Sequence, residues 1–171
     1  DSISMGYCPA VAEALSDRAE VVHNPGNGGD TDNVLANLDA WLGEAEPDVV
    51  SLNAGLHDLK FDRRRHVHQV PLDRYRANLE EIIDRLSAGT AGVLWVTTTP
   101  VIEPWHQAAR DFDRHNRDVD ACNAVALEIA RAAGLPVCDL HAAVLKAGPE
   151  KMLSPDGVHY GDEAYATLGR R

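Results

Sequence analysis

The chain has 171 residues, 44% of them hydrophobic and 25% charged, which is the size and balance of one globular domain. Its 27 acidic and 16 basic residues leave a formal charge of −11, which repels nucleic acid and anionic membrane surfaces and excludes both as expected partners. No apolar run approaches the roughly 20 residues of a membrane helix, and the three cysteines show no zinc-type CxxC spacing and are odd in number for a disulfide framework.

In chain order, Val11, Ala14, Leu15 and Arg18 predict a short helix after Pro9, and Ala19 to His23 a strand. Residues 25–32 are rich in Gly and Asn and read as a loop. Val34, Leu35, Leu38, Trp41 and Leu42 follow helical spacing up to Pro47, and Asp48 to Ala54 form a β-branched strand that stops at Gly55. Residues 57–71 read as a polar loop. Leu79, Ile82, Ile83 and Leu86 predict a helix with Asp73 as N-cap. Val93 to Thr99 is a buried-type strand, and residues 100–116 a second long loop. Val119, Cys122, Ala126, Ile129, Ala130 and Ala133 predict a helix closed by Gly134. Val137 to Leu140 make a last strand and Gly161 to Leu168 a last helix. Cys122 and Cys138 lie in apolar stretches and are expected as buried free thiols.

This repeated alternation of strand and helix predicts an α/β fold in three layers, a doubly wound parallel sheet with helices on both faces. Sites on such sheets lie beyond the carboxyl ends of the strands. Four segments with chemistry-bearing residues fall there or at the chain start: Asp1-Ser2-Ile3-Ser4, Gly28-Gly29-Asp30-Thr31, Asn53-Ala54-Gly55-Leu56-His57-Asp58, and Ser154-Pro155-Asp156-Gly157-Val158-His159.

Their order and spacing resemble the four sequence blocks of the SGNH (GDSL-like) serine hydrolases, over nearly the whole chain. The resemblance implies Ser2 as nucleophile, His159 as base and Asp156 as its orienting carboxylate. It implies an oxyanion hole from the backbone N–H groups of Ser2 and Gly29, with Gly28 beside them. The chemistry agrees: a serine hydroxyl needs a base to take its proton, and an imidazole, with a reference pKa of about 6.5, suits that work. His57 stands where the family's third block normally has Asn, although one branch carries Gly-Leu-His-Asp there. Its ring can donate to the oxyanion if the facing nitrogen is protonated. Family members also place a strand before the first block, so residues preceding Asp1 are expected in a single domain spanning 1–171.

The implied activity is hydrolysis of a carboxylic ester through an acyl-serine, with no cofactor and a small-molecule or carbohydrate ester as substrate. A short acyl group, such as acetyl on a sugar, is the expected case; lysophospholipids and thioesters are alternatives within the family. Trp105, His106 and Arg110 are expected to wall the substrate pocket. Asp58 is expected to buttress its loop, Trp41 and Trp95 to be core residues, and Tyr160 to pack behind the His159 loop. The run Arg63-Arg64-Arg65-His66-Val67-His68 reads as a solvated loop, with attraction of an anionic substrate as its alternative. Two competing readings are a silent carbohydrate-binding module on the same fold and a metal-dependent hydrolase using His66 and His68 with His57 and Asp58.

Overall fold

A computed structural model describes residues 1–89 and 92–171. Helix α1 (Ser2–Ala14) begins directly after Asp1, whose carboxylate accepts from the N–H groups of Ile3 and Ser4 at 3.0 and 3.1 Å, completing a capping box with Ser4. The helix starts well before its expected position and runs through Pro9. Burial of Ile3 and this cap hold its first turns, so the donor that Pro9 lacks does not end it.

The expected strand at Ala19–His23 does not form. The segment has no ladder partner among the described residues, and Val22 is left exposed. A β-branched run without a neighbour to pair its backbone gains nothing by being a strand. Helix α2 (Thr31–Ala45) is capped by Asp30, which accepts from the Asn33 N–H at 3.0 Å, and ends at Glu46 in the left-handed region, just before Pro47.

Strand β1 (Val49–Leu52) follows. The stretch expected as a polar loop folds into a short antiparallel hairpin, β2 (Phe61–Asp62) with β3 (Val67–His68). Helix α3 (Leu72–Gly89) begins before Asp73, which therefore sits in its first turn rather than capping it. Tyr75, Leu79, Ile82, Ile83 and Leu86 form one buried stripe on α3. Each such aliphatic burial stabilises the fold by about 1.5–3 kcal/mol.

Strand β4 (Gly92–Val96) runs parallel to β1 with Val50 opposite Val93. Helix α4 (Glu103–Ala109) occupies the second expected loop, and α5 (Asn116–Ala132) follows. Strand β5 (Val137–Cys138) is parallel to β4, giving the sheet order β1-β4-β5. Helices α6 (Leu140–Ala147) and α7 (Pro149–Met152) stand where no helix is expected, and α8 (Asp162–Gly169) closes the fold.

The architecture is three-layer α/β/α with a parallel sheet of fewer strands than expected. Helices α2, α3 and α5 pack in sequence, with α3 against β4, while α1 and α8 pack on each other. Trp95 is fully buried in the core, Trp41 packs against it, and Tyr160 meets Tyr165 at 5.4 Å behind the last loop. All three cysteines are free; Cys122 is buried, but Cys138, in a strand of only two residues, is half-exposed rather than buried. No helix among the described residues is long and apolar enough to cross a membrane.

Candidate active site

Ser2 is the first residue of α1, so its N–H belongs to the helical turn that has no internal acceptors, and it has no partner among the described residues. Its Oγ lies 2.8 Å from Nε2 of His159. His159 Nδ1 lies 2.5 Å from Asp156 Oδ2, and the other carboxylate oxygen accepts from the N–H groups of Val158 and His159 at 3.1 and 3.0 Å. Burial alone would raise the pKa of Asp156, but the bonds from the His159 ring and these two N–H groups outweigh it, and the value falls to about 2. Asp156 is therefore ionised at neutral pH.

The loop carrying Asp156 and His159 is fastened to α4. The Ile102 N–H donates to the Gly157 carbonyl at 2.9 Å. Gly157 has φ +72°, and a Cβ there would come within 2.5 Å of the Ile102 carbonyl oxygen and 2.7 Å of the His106 nitrogen. Only glycine meets both the conformation and the close approach.

Residues 53–58 follow the end of β1. His57 is half-buried, and its ring has no hydrogen-bond partner among the described residues. Burial, with the charges of Lys60 and Arg114, lowers its pKa to about 4, so at neutral pH it is an uncharged imidazole with one N–H to give. Asp58 is fully buried and accepts from the Thr31 N–H at 2.9 Å and the Thr31 hydroxyl at 2.6 Å. It thereby ties the His57 loop to the segment after Gly29, in the buttressing position expected. Tyr75 and Thr98 each donate to the Ala54 carbonyl at 3.0 Å, fixing the same loop from below.

Gly29 has φ +68°, but its N–H donates to Asn27 Oδ1 at 2.9 Å. Gly28 accepts from Asn33 Nδ2 at 2.7 Å through its carbonyl. Trp105 lines an open, largely apolar hollow of about 500 Å³ with Pro104, Ala108, Ala109 and Pro155, the residue preceding Asp156. Arg110 lies 3.6 Å from Asp156 Oδ2. His106, expected as a pocket wall, is instead fully buried, because α4 turns it inward against Phe112 at 5.2 Å.

The hairpin histidines serve other contacts. His68 pairs with Asp118 at 3.0 Å, and both His66 and His68 pack on Phe61. Among the described residues no three His, Cys, Asp or Glu side chains are grouped to hold a metal ion.

The model of the GDSL-like lipase/acylhydrolase family matches residues 1–167. The chain belongs to that family. It is accordingly an ester-hydrolysing enzyme. Solved structures agree on the fold of this acylhydrolase. A lipase/acylhydrolase from Enterococcus faecalis superposes with a TM-score of 0.78 at 24% identity, covering 95% of this chain and 80% of that one. The acetyl xylan esterase AlAXEase gives 0.80 at 20% identity over 99% and 92%. Axe2, an acetylxylan esterase from Geobacillus stearothermophilus, gives 0.76 at 23% over 96% and 78%. No curated protein matches the sequence.

Two cations of this acylhydrolase's site were not singled out from the sequence. Lys60 sits one turn after His57, and Arg114, 6% exposed, donates from Nε to the Leu56 carbonyl at 2.6 Å. Arg114 stands in a charged stretch before α5, among Arg110, Asp111 and Asp113, where one more charge carries no signal. Nothing in its spacing links it to residue 56.

Proposed function

We propose that this acylhydrolase cleaves short-chain carboxylic esters by a serine mechanism, with Ser2 as nucleophile, His159 as general base and Asp156 as its orienting carboxylate. The observation that carries the reading is the continuous contact from Ser2 Oγ to His159 Nε2 at 2.8 Å and from His159 Nδ1 to Asp156 at 2.5 Å. Ionised Asp156 favours the tautomer with its proton on Nδ1, leaving Nε2 free to accept from Ser2.

In the reaction, Ser2 Oγ bonds to the ester carbonyl carbon as its proton passes to Nε2. The carbonyl oxygen takes the negative charge. The unpartnered Ser2 N–H and the uncharged His57 ring are suited to receive it, and the Gly29 N–H joins them once it leaves Asn27. Each such donor is worth about 10²–10³ in rate. The imidazolium then protonates the departing alcohol, and water, activated by the same ring, releases the acid from the acyl-serine.

The favoured substrate is an acetyl ester of a carbohydrate. Two of the similar folds described above are acetylxylan esterases, and the hollow beside Trp105 offers an indole and two prolines for a sugar face. The test is acetate release from acetylated xylooligosaccharides alongside a lysophospholipid and an acyl thioester. Acetate release that disappears in Ser2→Ala supports the proposal; activity confined to the lipid or thioester overturns the substrate class.

A further inference from the structure

Lys60 and Arg114 stand on one aromatic ring. The Lys60 ammonium lies 5.5 Å from the centroid of Phe112, and the Arg114 guanidinium carbon 5.1 Å from it. Neither cation has a carboxylate oxygen within 4.0 Å among the described residues. Their neighbours differ: Arg63 is paired with Asp113 at 2.6 Å and Arg110 faces Asp156 at 3.6 Å. A guanidinium taken out of water without an anion is costly, and one carbonyl bond uses a single N–H of its five. The two terminal nitrogens have no acceptor among the described residues and are not sealed from solvent.

The pair lies within the site. Arg114 holds the residue before His57, and the Lys60 N–H donates to the His57 carbonyl at 3.4 Å. The charges are felt on both walls: Lys60 and Arg114 depress His57, while Asp156 acts on Arg114 in the opposite sense to burial. Two cations with no ion-pair partner within 4.0 Å among the described residues, close enough to His57 to depress its pKa in a chain of net charge −11, favour a negative ligand beside it.

We propose that Lys60 and Arg114, each against the Phe112 ring, bind a carboxylate carried on the non-reacting part of the ester substrate. The proposal rests on the serine-esterase reading above. The planar edge of a guanidinium matches the two oxygens of a carboxylate. Asp30 and Asp58, whose charges act on Lys60, and Asp156, whose charge acts on Arg114, disfavour a doubly charged phosphate. The substrate class is then an ester of an acidic compound, a uronic acid residue being the carbohydrate example.

The experiment compares hydrolysis of 3- and 4-acetoxybenzoate with the matching acetoxybenzamides and with 4-acetoxyphenyl phosphate, each rate normalised to its spontaneous hydrolysis. The wild-type enzyme is expected to favour at least one benzoate over its amide by about tenfold or more in kcat/KM, mainly through KM. That ratio should shrink as salt is raised and approach one in Lys60→Gln, at a half-buried position; Arg114→Gln gives the second reading of the same ratio. Equal rates on benzoates and amides in the wild type, a ratio unchanged in Lys60→Gln, or a preference for the phosphate would overturn the proposal. If the amides are cleaved by wild type and not by Ser2→Ala, such a result removes the carboxylate subsite alone. Cleavage that survives Ser2→Ala removes the serine reading and this subsite together.

Discussion

Asp58 receives both the N–H and the hydroxyl of Thr31 on one carboxylate oxygen, at 2.9 and 2.6 Å, while its second oxygen has no partner among the described residues. Burial raises its pKa from 3.8 to about 6, despite the two Thr31 bonds that pull the other way. A carboxyl raised on folding binds more protons in the native state than in the unfolded chain between those values. Stability contributed by this group is therefore present at low pH and lost as pH climbs towards 6. In Asp58→Asn that dependence is absent. Thermal unfolding of both proteins from pH 4 to 7 should show wild type losing ground to the variant as pH rises; parallel curves would contradict the assignment.

Replacing Asp58 by Ala leaves the Thr31 N–H and hydroxyl hydrogen buried without their acceptor, since Asn78 Nδ2 only donates to the hydroxyl oxygen, at 2.9 Å. The expected cost is about 1–3 kcal/mol. Urea unfolding reads it, and an unchanged midpoint would show the tie to be dispensable.

Ser2→Ala should abolish turnover of a chromogenic acetate ester. Asp156→Asn should keep the fold but cut kcat by roughly 10²–10⁴, because an amide no longer secures the tautomer of His159. Near-normal kcat in Asp156→Asn would mean that the 2.5 Å contact does not serve the reaction.

His57→Ala should lower kcat by about 10²–10³ with a smaller change in KM, the signature of a donor used in the transition state. His57→Asn should restore much of that loss, since an amide N–H is also uncharged and can donate. A variant in which KM rises and kcat is untouched would move His57 from the oxyanion to ground-state binding.

Gly157→Ala combines a left-handed backbone at φ +72° with a Cβ set 2.5 Å from the Ile102 carbonyl oxygen. It should destabilise by about 2–4 kcal/mol. Activity should fall as the His159 loop lifts from α4. A melting temperature within a degree or so of wild type would refute the close packing.

The helices α3 and α5 were legible because their apolar residues recur at helical spacing over several turns, as Leu79, Ile82, Ile83 and Leu86 do. The segments of Ser2, Asp156 and His159 stand out in the sequence as short local blocks, and the structure brings these side chains together from the two ends of the chain. What failed depended on partners. Val21 and Val22 favour a strand, yet no ladder is offered to them. The hairpin of Phe61 and His68 is too short to leave a period. Helix α6 carries a start signal, Asp139 accepting from the Ala142 N–H at 3.0 Å, but the apolar run from Val137 continues through Leu140 and masks it. His106 was misplaced because a loop reading leaves a side chain free to face the pocket, whereas one helical turn decides which neighbour points inward.

The anchoring of Gly157 on α4 has a mechanical consequence. Pro155 lines the Trp105 hollow and Asp156, the next residue, holds the His159 ring, so under the proposed mechanism the surface that would seat the alcohol part and the base that would protonate it lie on one short stretch of chain. A guest that wedges the Trp105 hollow open is then expected to tilt the His159 ring as well. Under the proposed mechanism, remodelling that hollow is expected to change how fast the enzyme turns over along with what it accepts, so that the two properties have to be re-tuned together.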